Sequence, residues 1–273
     1  MKSGPRPVVV SPLEKRLEAY ERFQELLAGG KSTNQIVRTI SRRFGVSRSA
    51  VYAWMSGVSP LGKKARRVTH AKELFYVIGS LLGDGSTYFW KNRYYISLYG
   101  EREFATKFAE RVSVCTSKRK AKAYSYRGRN VWFVTFQNAE LYFLMRRIRE
   151  DIDIVTDMLS RGDCSVNGLQ LIEGFFDAGG CVKVIKEEVR RTPKICLDFS
   201  NTDVNLIELF RRVLKDTLSI EGRLSSQKDR RRNRQVMHHL RIYSKDAVRK
   251  FLLHVNTIKL KSEKVQYVEK WVR

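Results

Sequence analysis

Two short segments of this chain are diverged copies of one nine-residue pattern, and they restrict its fold more than any other feature. The copies run from Val77 to Gly85 and from Ile172 to Gly180, 95 positions apart. Small residues occupy the third and seventh positions of each copy: Gly79, Gly83, Gly174 and Ala178. Because residues four apart share one face of a helix, these positions let two backbones approach closely. The pattern therefore predicts two helices that pack against each other through their small residues.

An acidic residue, Asp84, lies at the eighth position of the first copy, where the predicted helix ends. The macrodipole makes a carboxylate unfavourable at a helix C-terminus, so Asp84 is a candidate for function rather than for stability. The alternative interpretation is a turn residue, since Asp-Gly is a common turn pair. The second copy has Gly179 at the same position.

These residues resemble the motifs of the double-motif LAGLIDADG homing endonucleases. In that family two such helices form a pseudo-twofold core, and an acid at the eighth position of each helix holds divalent metal ions over a DNA strand. The resemblance covers residues 70 to 273 and implies an α+β fold, a duplicated domain whose two ββα-type halves form a saddle of antiparallel strands. It also implies that Asp84 is a catalytic and metal-binding residue, with Mg²⁺ as the cofactor if the protein is catalytic. Gly179 has no side-chain oxygen, so we expect it to be non-catalytic.

A lysine in the second half completes this resemblance. The segment from Ile258 to Lys264 is similar to the family's lysine-bearing segment before the last helix, which implies that Lys261 polarises the active-site water or neutralises the phosphate. The corresponding stretch of the first half, 149–153, is acidic. One half keeps the acid and the other keeps the lysine. With one of two carboxylates missing, we expect DNA cleavage to be weakened or lost.

The charge of the chain predicts its partner. It contains 53 Lys and Arg against 28 Asp and Glu, a net charge of +25. This excess indicates a polyanion, above all nucleic acid, because solubility alone needs a net charge of about 2 to 8. A merely solubilising surface is the alternative. No stretch approaches the roughly 20 apolar residues of a membrane span. We therefore expect double-stranded DNA as the partner, no membrane, and a monomer in the cytoplasm or nucleoid.

The N-terminal residues 1–62 predict a small all-α helix-turn-helix domain. Within it, Ser41 is a small residue where two helices cross, and Gly45 lies in the turn. The second helix would present Arg48, Ser49 and Tyr52 to phosphates and base edges of a major groove. A three-helix packing module without DNA contact is the alternative. Residues 63–69 predict a basic linker, 70–162 the first half of the duplicated domain and 163–273 the second half.

The hydrophobic periodicity predicts the same series of elements after each nine-residue copy. In the first half, strands are predicted at 86–90, 93–99, 121–126 and 131–136, and helices at 101–112 and 138–149. In the second half, strands are predicted at 181–186, 194–200, 223–227 and 235–243, and helices at 203–217, 245–255 and 261–271. A repeated order of elements indicates one duplicated α+β domain.

The open faces of the predicted strands are basic and aromatic, which is typical of a DNA-binding surface. In the first half the predicted DNA-binding residues are Lys91, Arg93, Tyr95, Lys122, Tyr124, Arg127 and Arg129, and Trp90, Ser97 and Tyr99 share their faces. In the second half they are Lys183, Arg190, Arg191, Lys194, Arg223, Gln227 and Arg241, and Ser225 and His239 share their faces. A predicted hairpin tip adds Arg230, Arg231, Arg232 and Arg234, unless that tip is only solvated.

Two functions of different classes are consistent with these observations. The first is a sequence-specific DNA-binding protein derived from a homing endonuclease. The second is an active magnesium-dependent homing endonuclease that tolerates Gly179. An RNA maturase, as some family members become, is a lesser alternative.

Overall fold

The structure is a computed structural model that describes residues 12–58, 60–61, 68–69, 71–91, 93–116, 121–126, 130–185, 194–228, 235–260 and 268. It divides the chain into two compact units, Met1–Ala65 and Arg66–Arg273. The sequence predicts the end of the helical domain at residue 62, three residues before this division.

Within its described residues, the first unit contains three helices, α1 (Pro12–Ala28), α2 (Thr33–Phe44) and α3 (Arg48–Met55). Helix α2 ends at Gly45, which adopts a left-handed conformation with φ of 66° and donates its amide to the carbonyl of Ser41. Glycine accepts this conformation without a steric penalty, and the chain can therefore turn into α3. Apolar side chains of all three helices form the core of the unit, including Phe23, Ile40 and Trp54.

The second unit begins with the first half of the repeat. Its elements are α4 (Lys72–Asp84), β1 (Gly85–Trp90), β2 (Arg93–Gly100), α5 (Arg102–Cys115), β3 (Tyr124–Ser125), β4 (Trp132–Gln137), α6 (Ala139–Glu150) and α7 (Asp153–Ser160). The four strands are antiparallel in the order β1-β2-β4-β3. Strand β3 is shorter than predicted, and α7 is not among the predicted elements.

The second half repeats this arrangement. Its elements are α8 (Cys164–Gly179), β5 (Gly180–Ile185), β6 (Lys194–Asn201), α9 (Val204–Leu218), β7 (Arg223–Lys228), β8 (Val236–Ile242) and α10 (Lys245–His254). The antiparallel order β5-β6-β8-β7 matches that of the first sheet. The predicted duplicated α+β domain is thus confirmed. Of the helix predicted at 261–271, the structure describes Val268, which is helical and buried, and the other residues lie outside the described residues.

Helices α4 and α8 pack backbone against backbone. A β-carbon on Gly79 would collide with the carbonyl oxygen of Leu171 and lie 2.8 Å from the amide nitrogen of Phe175. Reciprocally, a β-carbon on Gly174 would collide with the carbonyl oxygen of Tyr76. Leu171 follows Tyr76 by the same 95 positions that separate the two glycines, so the contacts obey a pseudo-twofold axis. The sequence-based prediction of this packing is correct.

The inner faces of both sheets are apolar and pack on the helices. In the second half the rings of Phe175 and Phe210 stack with centroids 3.8 Å apart, and Phe176, Phe199 and Phe251 are also fully buried. Burying each such side chain contributes about 1.5 to 3 kcal/mol. This core leaves the other face of each sheet free. Among the described residues, no helix is long and apolar enough to cross a membrane.

Candidate nucleic-acid interface

The end of helix α4 carries Asp84, with its side chain accessible to solvent. Partial loss of hydration raises the pKa of its carboxyl group above the ordinary value, while the positive charge of Lys259 opposes that rise. Nη2 of Arg149 donates to the carbonyl oxygens of Leu81 at 3.1 Å and Gly85 at 2.7 Å. Because these carbonyls carry the negative end of the helix dipole, Arg149 offsets part of the repulsion that Asp84 would meet there.

The equivalent motif position of α8 is Gly179, which has no side-chain carboxylate. Its carbonyl oxygen accepts a hydrogen bond of 3.3 Å from Oγ of Ser200. A β-carbon at position 179 would lie 3.2 Å from the carbonyl oxygen of Ser200, so a side chain there needs a shift of a few tenths of an ångström. The two helix ends therefore differ in chemistry while matching in position.

These residues do not fit a two-metal centre. Across the described ranges, no group of three or more His, Cys, Asp or Glu side chains is placed to hold a metal ion. Two-metal hydrolysis needs carboxylates that clamp both ions, and at the eighth motif position Asp84 supplies one while Gly179 supplies none. Lys261, the lysine implied by the family resemblance, lies outside the described residues. Lys259 is the described lysine whose charge acts on Asp84.

A fully buried carboxylate, Asp177, links α8 to the segment after α10. Its Oδ1 accepts hydrogen bonds from Oγ1 of Thr257 at 2.7 Å and from the amide of Ile258 at 3.0 Å. Its Oδ2 accepts from the hydroxyl of Tyr76 at 3.0 Å and from Nζ of Lys107 at 2.7 Å. Four donors compensate the loss of hydration, so a buried charge is tolerated here.

This network fixes the position of Lys259. The amide of Lys259 donates to Oγ1 of Thr257 at 3.1 Å, and Thr257 is itself held by Asp177. Lys107 adds a contact of 2.8 Å to Glu173 and donates to the carbonyl of Asn256 at 2.6 Å. This role of Asp177 was not predicted from the sequence. The available signal was the pair of acids, Glu173 and Asp177, on an otherwise apolar helix.

The open face of the first sheet is rich in aromatic side chains. We call it the aromatic face and define it by Tyr88, Trp90, Tyr95, Tyr99, Tyr124 and Phe133, which the strand register places on one side. The rings of Tyr88 and Tyr95 stack at 5.2 Å, and those of Tyr99 and Phe133 at 5.9 Å. Between 41% and 54% of the surface of Tyr88, Trp90, Tyr99 and Tyr124 remains exposed. Neighbouring rings thus order one another without covering the face.

The open face of the second sheet is charged instead. We call it the cationic face and define it by Lys183, Lys194, Arg223, His239 and Arg241. At its centre Asp198, only 2% exposed, forms an ion pair with Lys183. Nδ1 of His239 lies 3.0 Å from Oδ1 of Asp198, and Nε of Arg241 lies 3.6 Å from its Oδ2. One buried carboxylate therefore orients three basic side chains.

The predicted DNA-binding residues of the sheets fall into three groups. Arg93, Tyr95, Tyr124, Lys183, Lys194, Arg223, Gln227 and Arg241 lie on the two open faces. Lys91 lies in the turn between β1 and β2, with Nζ 4.4 Å from the ring centroid of Trp90, and Lys122 is exposed before β3. Arg127, Arg129, Arg190, Arg191, Arg230, Arg231, Arg232 and Arg234 lie outside the described residues.

In the first unit, the predicted contact residues lie on α3. Arg48 is its first residue, and Tyr52 keeps 47% of its surface exposed. Oγ of Ser49 lies 3.1 Å from Oγ of Ser47, which accepts a hydrogen bond from the amide of Ala50 and caps the helix. The exposed side of α3 is therefore polar and aromatic.

Comparison with known proteins identifies the second half. Residues 169–256 match the family model of the LAGLIDADG-like domain, from within α8 to just past α10. The first half repeats its order of elements, so the LAGLIDADG-like fold describes both halves. The resemblance seen in the sequence is confirmed.

Several solved structures are similar to this chain. Variants of the homing endonuclease I-DmoI match at 19% identity and a TM-score of 0.49, over 68% of this chain and 96% of theirs. I-DmoI in complex with DNA and Ca matches at 17% identity and a TM-score of 0.49, over 72% and 97%. Full-length DUF199/WhiA from Thermatoga maritima matches at 16% identity and a TM-score of 0.47, over 74% and 60%. Comparison with curated proteins gives no significant match.

Proposed function

We propose that this LAGLIDADG-like protein binds double-stranded DNA with sequence preference, and that its DNA cleavage is weakened or lost. The observation that carries the proposal is the cationic face. Asp198 brings Lys183, His239 and Arg241 together on the open side of the sheet, away from its apolar inner face. The net charge of +25 supplies the long-range attraction to a polyanion.

The loss of cleavage follows from the two helix ends. Asp84 supplies one carboxylate and Gly179 supplies none. A two-metal site stabilises the charge on both the attacking and the leaving oxygen, and here one of the two carboxylates that would hold such ions is missing. Binding does not need the second carboxylate. We expect the protein to act as an intracellular monomer, with the three-helix unit adding phosphate contacts through Arg48 and its neighbours.

Salt dependence of binding tests this function. Each neutralised phosphate contributes about −0.9 to the slope of log affinity against log salt concentration, so two sheets and a helical unit should give about −6 or steeper. Arg48→Ala should make the slope shallower by about 1 if Arg48 contacts a phosphate. Fluorescence anisotropy with a duplex obtained by binding-site selection measures the slope of the wild type and that of Arg48→Ala. A slope shallower than about −3 contradicts the proposed saddle.

A divalent-metal-dependent endonuclease is the second candidate function, favoured by the location of Asp84 near Lys259. It is tested with a supercoiled plasmid that contains the selected site, incubated with Mg²⁺ or Mn²⁺ and excess protein. A nicked product that disappears in Asp84→Asn supports the endonuclease. Intact plasmid under conditions of full binding supports the DNA-binding function.

A further inference from the structure

The two open faces occupy equivalent places in the fold but differ residue by residue. Tyr88 and Lys183 are both the fourth residue of their strand, β1 and β5. Ser97 and Asp198 are both the fifth residue of theirs, β2 and β6. Phe133 of β4 corresponds to His239 of β8. Phe133 pairs with the residue two positions after Ser97, and His239 pairs with the residue two positions after Asp198. The aromatic and cationic faces would therefore meet equivalent parts of a bound duplex.

The aromatic face is suited to apolar groups in a major groove. Its exposed rings present carbon surface. On the same face, the hydroxyl groups of Ser86 and Ser97 form a hydrogen bond with each other, with their Oγ atoms 3.0 Å apart. Tyr99, Tyr124 and Phe133 pack on one another, so their surface is ordered before any ligand arrives. The apolar group that a major groove offers is the 5-methyl of thymine.

The cationic face is suited to acceptors instead. Lys183 and Arg241 have their charged ends held by Asp198, while 43% and 27% of their side-chain surface remains exposed. Asp198 itself is too buried to contact a base. Lysine and arginine recognise the O6 and N7 acceptors of guanine, which is their commonest specific contact in the major groove.

We propose that the two faces read half-sites of different composition in one duplex. The aromatic face contacts A·T pairs through thymine methyl groups, and the cationic face contacts G·C pairs through guanine O6 and N7. This inference rests on the proposed DNA-binding function and adds the chemistry that each half recognises.

Base analogues test the proposal on the full chain. In a selected duplex, the thymines of one half-site at a time are replaced by deoxyuridine, which lacks only the methyl group, and the guanines by 7-deazaguanine, which lacks N7. Deoxyuridine should weaken binding about fourfold per contacted methyl in one half-site and less than about twofold in the other. The substitution by 7-deazaguanine should have the opposite preference, with a loss of about fivefold or more.

Matched variants at equivalent positions assign each half-site to a face. Tyr88→Ala should remove the sensitivity to deoxyuridine and keep the sensitivity to 7-deazaguanine, and Lys183→Ala should do the reverse. A general loss of folding would reduce both sensitivities together. Both side chains are partly exposed, and His239 and Arg241 remain beside Asp198 in Lys183→Ala.

The outcomes separate this inference from the proposed function. Absence of duplex binding would contradict the function itself. Duplex binding with equal sensitivity of both half-sites to both analogues would overturn the inference and leave the function intact. Tighter binding of a single-stranded oligonucleotide than of the duplex, without a deoxyuridine effect, would also overturn it, because the rings would then stack on unpaired bases.

Discussion

The two halves of the LAGLIDADG-like fold bury different chemistry beside the same helix pair. Where the second motif copy has Asp177 and Glu173, the first has Leu82 and Ile78. Lys107, from the first half, reaches across to both acids. The ionic cluster therefore lies on one side of the pseudo-twofold axis, although the backbone contacts of α4 and α8 are reciprocal.

This difference shows which positions the symmetry constrains. Where two backbones touch, at Gly79 and Gly174, any side chain would collide, so both halves keep the same small residue. One turn away, side chains face different neighbours, and each half can use them for its own purpose. The second half uses Asp177 to hold the segment that bears Lys259.

The largest expected effect comes from making the second half like the first at Asp177. Asp177→Leu should lower the free energy of unfolding by about 3 kcal/mol or more, because Lys107 and the amide of Ile258 lose a buried partner. Urea denaturation measures the change. The double variant Lys107→Leu with Asp177→Leu is the control and should recover part of the loss. A single variant within about 1 kcal/mol of wild type would contradict the role given to this network.

A smaller and symmetric effect is expected at the helix interface. Gly79→Ala and Gly174→Ala should each lower the free energy of unfolding by about 1 to 3 kcal/mol through overpacking against backbone. Because the backbone contacts are reciprocal, both losses should fall within this range of about 1 to 3 kcal/mol. Denaturation of both variants under one set of conditions makes the comparison. A loss in only one of the two variants would mean that the pseudo-twofold packing is not reciprocal.

Restoring the missing acid should change activity more than stability. Gly179→Asp should produce metal-dependent nicking or cleavage of a plasmid with the selected site, at a stability cost of about 1 kcal/mol from like charges at two helix ends. Gly179→Ala is the matched control, because it has the same close approach to Ser200 and no carboxylate. Asp84→Asn should abolish the new activity. Equal cleavage by wild type and Gly179→Asp would disprove the interpretation of Gly179 as a lost ligand.

The smallest effect is expected at Asp84 in metal-free buffer. Its pKa is raised by folding, so the ionised carboxyl costs stability above the ordinary pKa of 3.8, and the cost disappears as the pH falls below that value. Asp84→Asn should therefore raise the Tm at pH 7 by about 1 to 3 °C and leave it unchanged at pH 3. Calorimetry with EDTA at both pH values measures this. A lower Tm at pH 7 would show that Asp84 serves stability.

Much of this molecule could be predicted from local patterns in the sequence. Alternating apolar residues predicted the paired strands, and the spacing of Gly79 and Gly83 predicted the helix interface, because both patterns follow from backbone geometry. Helix α7 was missed because its eight residues carry only two buried side chains, Val155 and Leu159. The length of β3 was overestimated because alternation cannot show where the neighbouring strand stops pairing with it.

The site depended more on tertiary structure. The sequence by itself determined the duplicated α+β fold, the acid at Asp84, its absence at Gly179 and the excess of positive charge. Only the tertiary structure decided that Lys259 acts on Asp84, that Asp177 holds its segment, and that Asp198 orients the cationic face. Each of these involves residues 15 to 175 positions apart in the chain, and such pairs are set by how helices and strands pack, which a local pattern does not contain.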